Sequence, residues 1–191
     1  MQYNGRCTKL CRRWDKPWDA HHVTFSTFQN LKLFSGELAP RWVLESVDVA
    51  RKEGLFDLWA YVIMPQHVHL LIWPHEGVKM KTILHRVKRP VAGKAISHLE
   101  KHHPEFLSRL STKDKDGRIE HHFWQVGGGY DRNLRSDCDC LEKLHYIHNN
   151  PVKEGLVNAE DDWIWSSARA WKYGVDEPIP IDRGSFPSVQ T

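Results

Sequence analysis

The sequence predicts an α+β domain: a ferredoxin-like (split βαβ) antiparallel sheet with helices on one face, plus a C-terminal helix that carries a tyrosine. Three observations predict it. Apolar side chains alternate in His22 to Phe28, and Leu58 to Met64 and His67 to Trp73 are apolar runs of strand length, the second broken two residues apart by His67 and His69. After Pro40 and after Met80 apolar side chains recur at three- and four-residue steps, the period of helices. The resulting order, strand–helix–strand–strand–helix–strand followed by further helices, is that of a split βαβ sheet. At 191 residues, with 40% hydrophobic side chains and nine Trp, the chain has core enough for one such domain.

Taken in order, residues 1–20 read as a basic arm, with Arg6, Lys9, Arg12, Arg13 and Lys16 and little apolar periodicity. The first strand sets Val23, Phe25 and Thr27 against His22, Thr24 and Ser26. Pro40 opens a helix through Trp42, Val43, Val47 and Ala50, with Gly54 as its stop. Leu58 to Met64 and His67 to Trp73 form a hairpin across Pro65-Gln66, where proline supplies the fixed φ of a tight turn. Met80, Leu84, Val87, Val91 and Ala95 mark the next helix, which Pro90 should kink or split. Residues 111–120 read as a polar loop, and His122 to Val126 as the fourth strand. Gly127-Gly128-Gly129 then permits a sharp bend or the close approach of another backbone. Ser136 with Asp139 resembles a capping box opening a helix that runs into Asn149-Asn150-Pro151. Trp163 to Tyr173 reads as a short helix stopped by Gly174, its tryptophans serving as packing, and residues 175–191 as an irregular tail.

Composition narrows the function classes. The N-terminus lacks an apolar signal core, and no run approaches the ~18 apolar residues of a membrane span, so the expectation is a cytoplasmic protein without membrane contact. Cys7, Cys11, Cys138 and Cys140 are then expected as thiols. Their spacings are not those of a common zinc knuckle, although a shared zinc site stays open. Net charge is a mild +3, but Gly77 to Leu99 holds no acid and carries Lys79, Lys81, Arg86, Lys88, Arg89 and Lys94. That block suits a phosphate backbone or a solvated helix face.

The chemistry concentrates in YVIMPQHVHLLIW, Tyr61 to Trp73. His67 and His69 sit two apart, so both imidazoles leave one face of the strand while Val68, Leu70 and Ile72 take the other. Two imidazoles on a rigid strand are half of a divalent-metal site, or simply two polar residues on a half-exposed strand. In a split βαβ sheet this strand is central, and its histidine face looks away from the two packing helices. Later, Tyr146 and Asn150 share one helical face. A phenol is a poor nucleophile at its free pKa of about 10. A nearby divalent cation that polarises the attacked phosphate would help it, and the Asn150 amide oxygen could complete the ligand set.

MPQHVHLLIWP resembles the histidine–hydrophobic–histidine (HUH) motif of single-tyrosine transposases. LHYIHNNPVKEGLV resembles the tyrosine-helix segment of the REP-associated members of that group. HHVTFSTFQNLKLF, FWQVGGGYDRNLRS and DDWIWSSARAWKYG resemble further blocks, so the likeness runs from about His21 to Gly174. It implies a ferredoxin-like nuclease domain over 21–174 acting on single-stranded DNA at hairpin-bearing repeats. It implies His67 and His69 as ligands of Mg2+ or Mn2+, Asn150 as the helix-borne third ligand, and Tyr146 as the nucleophile forming a 5′-phosphotyrosine and freeing a 3′-OH. Lys81, Arg86, Lys88, Arg89 and Lys153 are the candidate DNA contacts, and the assembly is expected to be a monomer or homodimer.

Two departures stand out: Gln66 occupies a place where the family often has Asn, and the triple glycine is unusual for its block. Pro151 also disfavours helix at Asn150, which would leave His148 or water to complete the site. Tyr130 is a second candidate nucleophile, with strand-end packing as its plainer role. The alternative function is a domesticated hairpin-binding protein that does not cut. A zinc hydrolase of the H-x-H-x-D-H kind is disfavoured, because Leu71 and Ile72 stand at the Asp and His places.

Overall fold

The computed structural model describes residues 19–127 and 129–187; Cys7, Cys11, most of the basic arm, Gly128 and the end of the tail lie outside them. Strands β1 (Ala20–Ser26), β2 (Phe56–Met64), β3 (His67–Pro74) and β6 (Tyr130–Leu134) form an antiparallel four-stranded sheet in the order β2-β3-β1-β6. β3 is inserted between the two strands that helix α1 (Leu38–Lys52) connects, which is the split βαβ order. α2 (Met80–His102) lies with α1 on one face, over Val23, Phe25, Val68, Leu70 and Ile72. α3 (Asp137–Lys153) covers part of the other face, packing Cys140, Leu144 and Ile147 on Val62, Leu71 and Leu134. The strand period therefore sends alternate β3 residues into two separate cores. No helix among the described residues is long and apolar enough to cross a membrane.

The fourth strand is Tyr130–Leu134, not His122–Val126. The earlier segment pairs its backbone with the end of β1 through the Thr27–Trp124 bridge and two flanking hydrogen bonds, Phe28 N–H to Phe123 O and Gln125 N–H to Ser26 O, 2.9 Å each. The chain then bulges, and full pairing resumes with Thr24 opposite Tyr130. Gly129 makes this possible. Its φ is +66°, and a Cβ there would overlap the Thr24 carbonyl oxygen. On the helix-covered face, His21 Nδ1 meets Asp131 Oδ1 at 2.7 Å and fastens β6 to β1. Residues 111–120 are not a plain loop either: β4 (Ser111–Lys113) and β5 (Ile119–His121) pair as a short hairpin.

α2 and α3 each run through an internal proline. Pro90 has no N–H for the Arg86 carbonyl. Ser46 Oγ of α1 lies 3.3 Å from that carbonyl and 2.9 Å from the Val87 carbonyl, so a donor from the neighbouring helix replaces the missing one. Pro151 likewise orphans the Ile147 carbonyl. There the Asn150 side-chain amide lies 2.7 Å from Tyr146 O and 3.4 Å from Ile147 O, and Asn150 stays helical. The helix opens as its sequence implies, with Asp139 N–H donating to Ser136 Oγ at 3.1 Å.

The free edge of β2 is covered by the C-terminal segment. Only Ala168–Tyr173 (α4) is helical, stopped by left-handed Gly174; Trp163 and Trp165 precede it along the strand. Trp163 Nε1 donates to Ile63 O and Ile63 N–H to Trp165 O, both 2.9 Å, and Trp171 Nε1 donates to Trp59 O at 2.8 Å. Asp182 accepts Arg51 Nε and Nη2 at 2.8 Å each and the Leu58 N–H at 2.9 Å. These tryptophans do more than pack: the indoles of Trp163 and Trp171 and the carbonyl of Trp165 satisfy backbone groups that an open edge would offer to another chain.

Candidate active site

The β2–β3 turn is pinned from outside, since Thr27 N–H donates to Gln66 O at 2.9 Å and Phe34 N–H to Pro65 O at 3.0 Å. His67 therefore begins β3 at a fixed point, and His69 follows on the same face. On the adjacent β1, Thr24 stands opposite His69. The imidazoles converge, with His67 Nε2 and His69 Nε2 3.0 Å apart. Two adjacent ligands of one octahedral cation, bonded at about 2.1 Å and a right angle, stand about 3.0 Å apart. His69 Nδ1 lies 2.7 Å from Thr24 Oγ1 and 3.2 Å from His22 Nε2. A proton held on Nδ1 by these partners leaves Nε2 as a lone pair for a cation.

α3 lays Tyr146 over this group. Its ring centroid is 5.8 Å from that of His69 and 5.7 Å from that of His22, edge-on to both, and the residue is 36% exposed. Lys143 Nζ and Lys153 Nζ sit 5.2 and 4.9 Å from its ring centre. Residues 143, 146, 150 and 153 recur at helical steps, so one stripe of α3 carries the phenol, the amide and both ammonium groups. That spacing was the available signal for Lys143, which the motif reading passed over. His22 and Thr24 were visible only as the polar half of a strand. Arg132 on β6 was concealed by the shifted position of that strand.

The other sequence candidates are distributed differently. Asn150 is buried on the site's helix with its amide nitrogen on Tyr146 O. His148 faces away, 2.9 Å from Ser167 Oγ. Lys153 adjoins Tyr146, whereas Lys81, Arg86, Lys88 and Arg89 ride on α2, on the opposite side of the sheet. There Arg86 pairs with Glu53, and Lys88 lies 5.6 Å from the rings of Phe25 and Trp124. Among the described residues no group of three His, Cys, Asp or Glu side chains is arranged to hold a metal. A cation on the histidine pair would thus draw further ligands from an amide, water or substrate. Burial, with Asp137 and Asp139 behind it, lifts the Cys140 thiol to about 11.

The histidines are kept neutral. Burial, then His67 and His22, holds His69 down to about 2. Burial, then Lys143 and Arg132, lowers His22 to about 4 against the opposing pull of Asp131. His67 is also lowered by burial, with Glu154 opposing, and His148 falls to about 4 by burial and then His145. Neutral imidazoles are the form that ligates metal. The same shifts predict acid lability. The unfolded chain takes up protons near 6.5, which the native fold refuses until about pH 4 or lower. Stability is therefore complete above about pH 6.5 and drains as pH falls. Each such histidine steepens the fall by about 1.4 kcal/mol per pH unit. Urea unfolding at pH 7, 6 and 5 checks this; a flat profile from pH 7 to 5 would contradict it.

No family model matches the chain. A Haemophilus influenzae protein named "Putative REP-associated tyrosine transposase" is 30% identical over 112 residues, 59% of this chain and 58% of that protein. The matched region thus spans under two thirds of that relative's length. The solved structure of a REP-associated tyrosine transposase bound to a REP hairpin superposes with a TM-score of 0.63 at 19% identity, covering 94% of this chain and 93% of the other. The chain resembles REP-associated tyrosine transposases in sequence over part of its length and in fold over nearly all of it.

Proposed function

We propose that this chain is itself a REP-associated tyrosine transposase, a metal-dependent single-stranded DNA endonuclease and strand transferase acting at hairpin-bearing repeats. One observation carries the reading: a helix-borne phenol and a strand-borne histidine pair, 77 positions apart between His69 and Tyr146, meet with ring centroids at 5.8 Å within a single chain. The chemistry needs that meeting, and no core-packing requirement explains a 36% exposed tyrosine over two converging imidazoles.

His67 and His69 would hold Mg2+ or Mn2+ through their Nε2 atoms, with the amide oxygen of Asn150 as third ligand. Bound there, the cation supplies polarisation of the scissile phosphate and stabilisation of its developing charge. The protein does the rest. Lys143 and Lys153 bring positive charge to the place where the phosphate meets the phenol. Thr24 and His22 orient His69. The Tyr146 oxygen attacks phosphorus, the P–O3′ bond breaks as the O–P bond forms, the phenol gives its proton to water, and the leaving 3′ oxygen takes one from water to become the 3′-OH. Attack of a 3′-OH on the 5′-phosphotyrosine reverses the exchange and joins strands. One phosphodiester is traded for another, so no nucleotide hydrolysis is required.

Inverted repeats, if found in the DNA flanking the gene, would supply the substrate for a test. A 5′- and 3′-labelled single-stranded hairpin oligonucleotide from them, incubated with protein and Mn2+, is expected to yield a covalent protein–DNA band on a denaturing gel. Excess EDTA should remove that band. Tight hairpin binding without any adduct would instead make the chain a binding protein and overturn the proposal.

A further inference from the structure

The sheet face that carries the histidines is only partly roofed by α3. Where β6 begins, that face is open, and the two residues it presents there are Tyr130 and Arg132, alternate positions on an edge strand. Tyr130 is 50% exposed. An exposed aromatic is ordinarily free to reorient, but this one is built in. Its backbone pairs with Thr24, which also holds His69. The preceding Gly129 lies so close to β1 that only glycine fits. The following Asp131 is tied through His21 on the far face at 2.7 Å. The Tyr130 ring stands edge-on to His22, centroids 5.7 Å apart, and His22 stands edge-on to Tyr146 at the same distance. His22 is 4% exposed and its Nε2 lies 3.2 Å from His69 Nδ1, so it is a fixed spacer between the two phenols. One π-face-bearing ring is thus held in solvent, one imidazole away from the nucleophile, and two residues further along the strand is Arg132, whose Nη2 lies 3.8 Å from Asp139 Oδ1.

We propose that Tyr130 is a stacking platform for a nucleobase flanking the scissile phosphate, with Arg132 contacting the adjoining backbone phosphate. The proposal rests on the strand-transfer reading and adds a binding subsite to it. Every base has a π-face, so such a platform tolerates sequence and contributes affinity and alignment. The contact is to the strand that leads to Tyr146 and requires it to be single. A paired base would not offer its face. The phenol oxygen of Tyr130 has no part in it, which separates this role from that of a second nucleophile.

The test uses the hairpin oligonucleotide with 2-aminopurine placed in turn at each base flanking the cleaved bond. Wild-type protein is expected to quench the fluorescence at one position. Tyr130→Leu, which keeps an apolar side chain without a π-face, and Tyr130→Ala should both lose that quenching and raise the half-saturating DNA concentration for adduct formation about tenfold. Tyr130→Phe should restore both. Undiminished quenching in the Leu and Ala variants overturns the platform, as does a Phe variant that behaves like Ala. Should wild-type protein bind DNA yet form no adduct, the strand-transfer reading fails, and the 2-aminopurine signal still decides the stacking.

Discussion

Tyr146→Phe is expected to abolish the covalent protein–DNA adduct while leaving hairpin binding within a few-fold of wild type. The substitution removes one oxygen and nothing else that the fold uses. Phenylalanine keeps the edge-on contacts with His22 and His69 at 5.7 and 5.8 Å and keeps a ring beneath Lys143 and Lys153. The residue is 36% exposed, so deleting its hydroxyl strands no buried group. Thermal melting should therefore be unchanged, and the loss of adduct should exceed the thousandfold range of a denaturing gel, because the atom that forms the new bond is gone. A surviving adduct would show that another side chain attacks phosphorus. Tyr130, the other phenol against His22, would then be the first to examine.

The second large effect is expected from the histidine pair. His69→Ala removes one of two nitrogens that stand 3.0 Å apart and should lower Mn2+ affinity at least a hundredfold by calorimetry, with adduct formation falling in proportion. Thr24→Val deletes the hydroxyl 2.7 Å from His69 Nδ1 without touching a ligand atom, and should cost ten- to a hundredfold in Mn2+ affinity. DNA binding without metal should survive both changes, since the charges beside the phenol belong to Lys143 and Lys153. Unaltered Mn2+ affinity in His69→Ala would place the cation elsewhere and leave the converging imidazoles without a catalytic part.

The acid sensitivity expected of the native fold has the same origin as the proposed metal chemistry. Imidazoles held neutral by burial are ready to ligate, and they become a liability when protons are abundant. The site and the stability profile are two consequences of sinking histidines into the face between β3 and α3.

Much of this molecule was legible along the chain because the governing interactions are short in sequence. Alternation set Val68, Leu70 and Ile72 against His67 and His69, and those two sets enter different surroundings in the fold. Ser136 capped its helix through a bond three residues away, and Gly174 ended another through its left-handed backbone. What tertiary structure decided were the matters that depend on partners far along the chain. Ser46 supplies a donor beside Pro90 from a neighbouring helix, so the expected break does not occur. Beside Pro151 the donor is local instead, the Asn150 amide on the Tyr146 and Ile147 carbonyls of its own helix, and Tyr146 stays on an unbroken helix. The fourth strand starts at Tyr130 because only Gly129 can pass the Thr24 carbonyl, a constraint that exists once β1 lies alongside. Periods of two and 3.6 residues are properties of a segment and can be read from it. The 5.8 Å between His69 and Tyr146 is a property of register and packing between segments, and only the folded chain contains it.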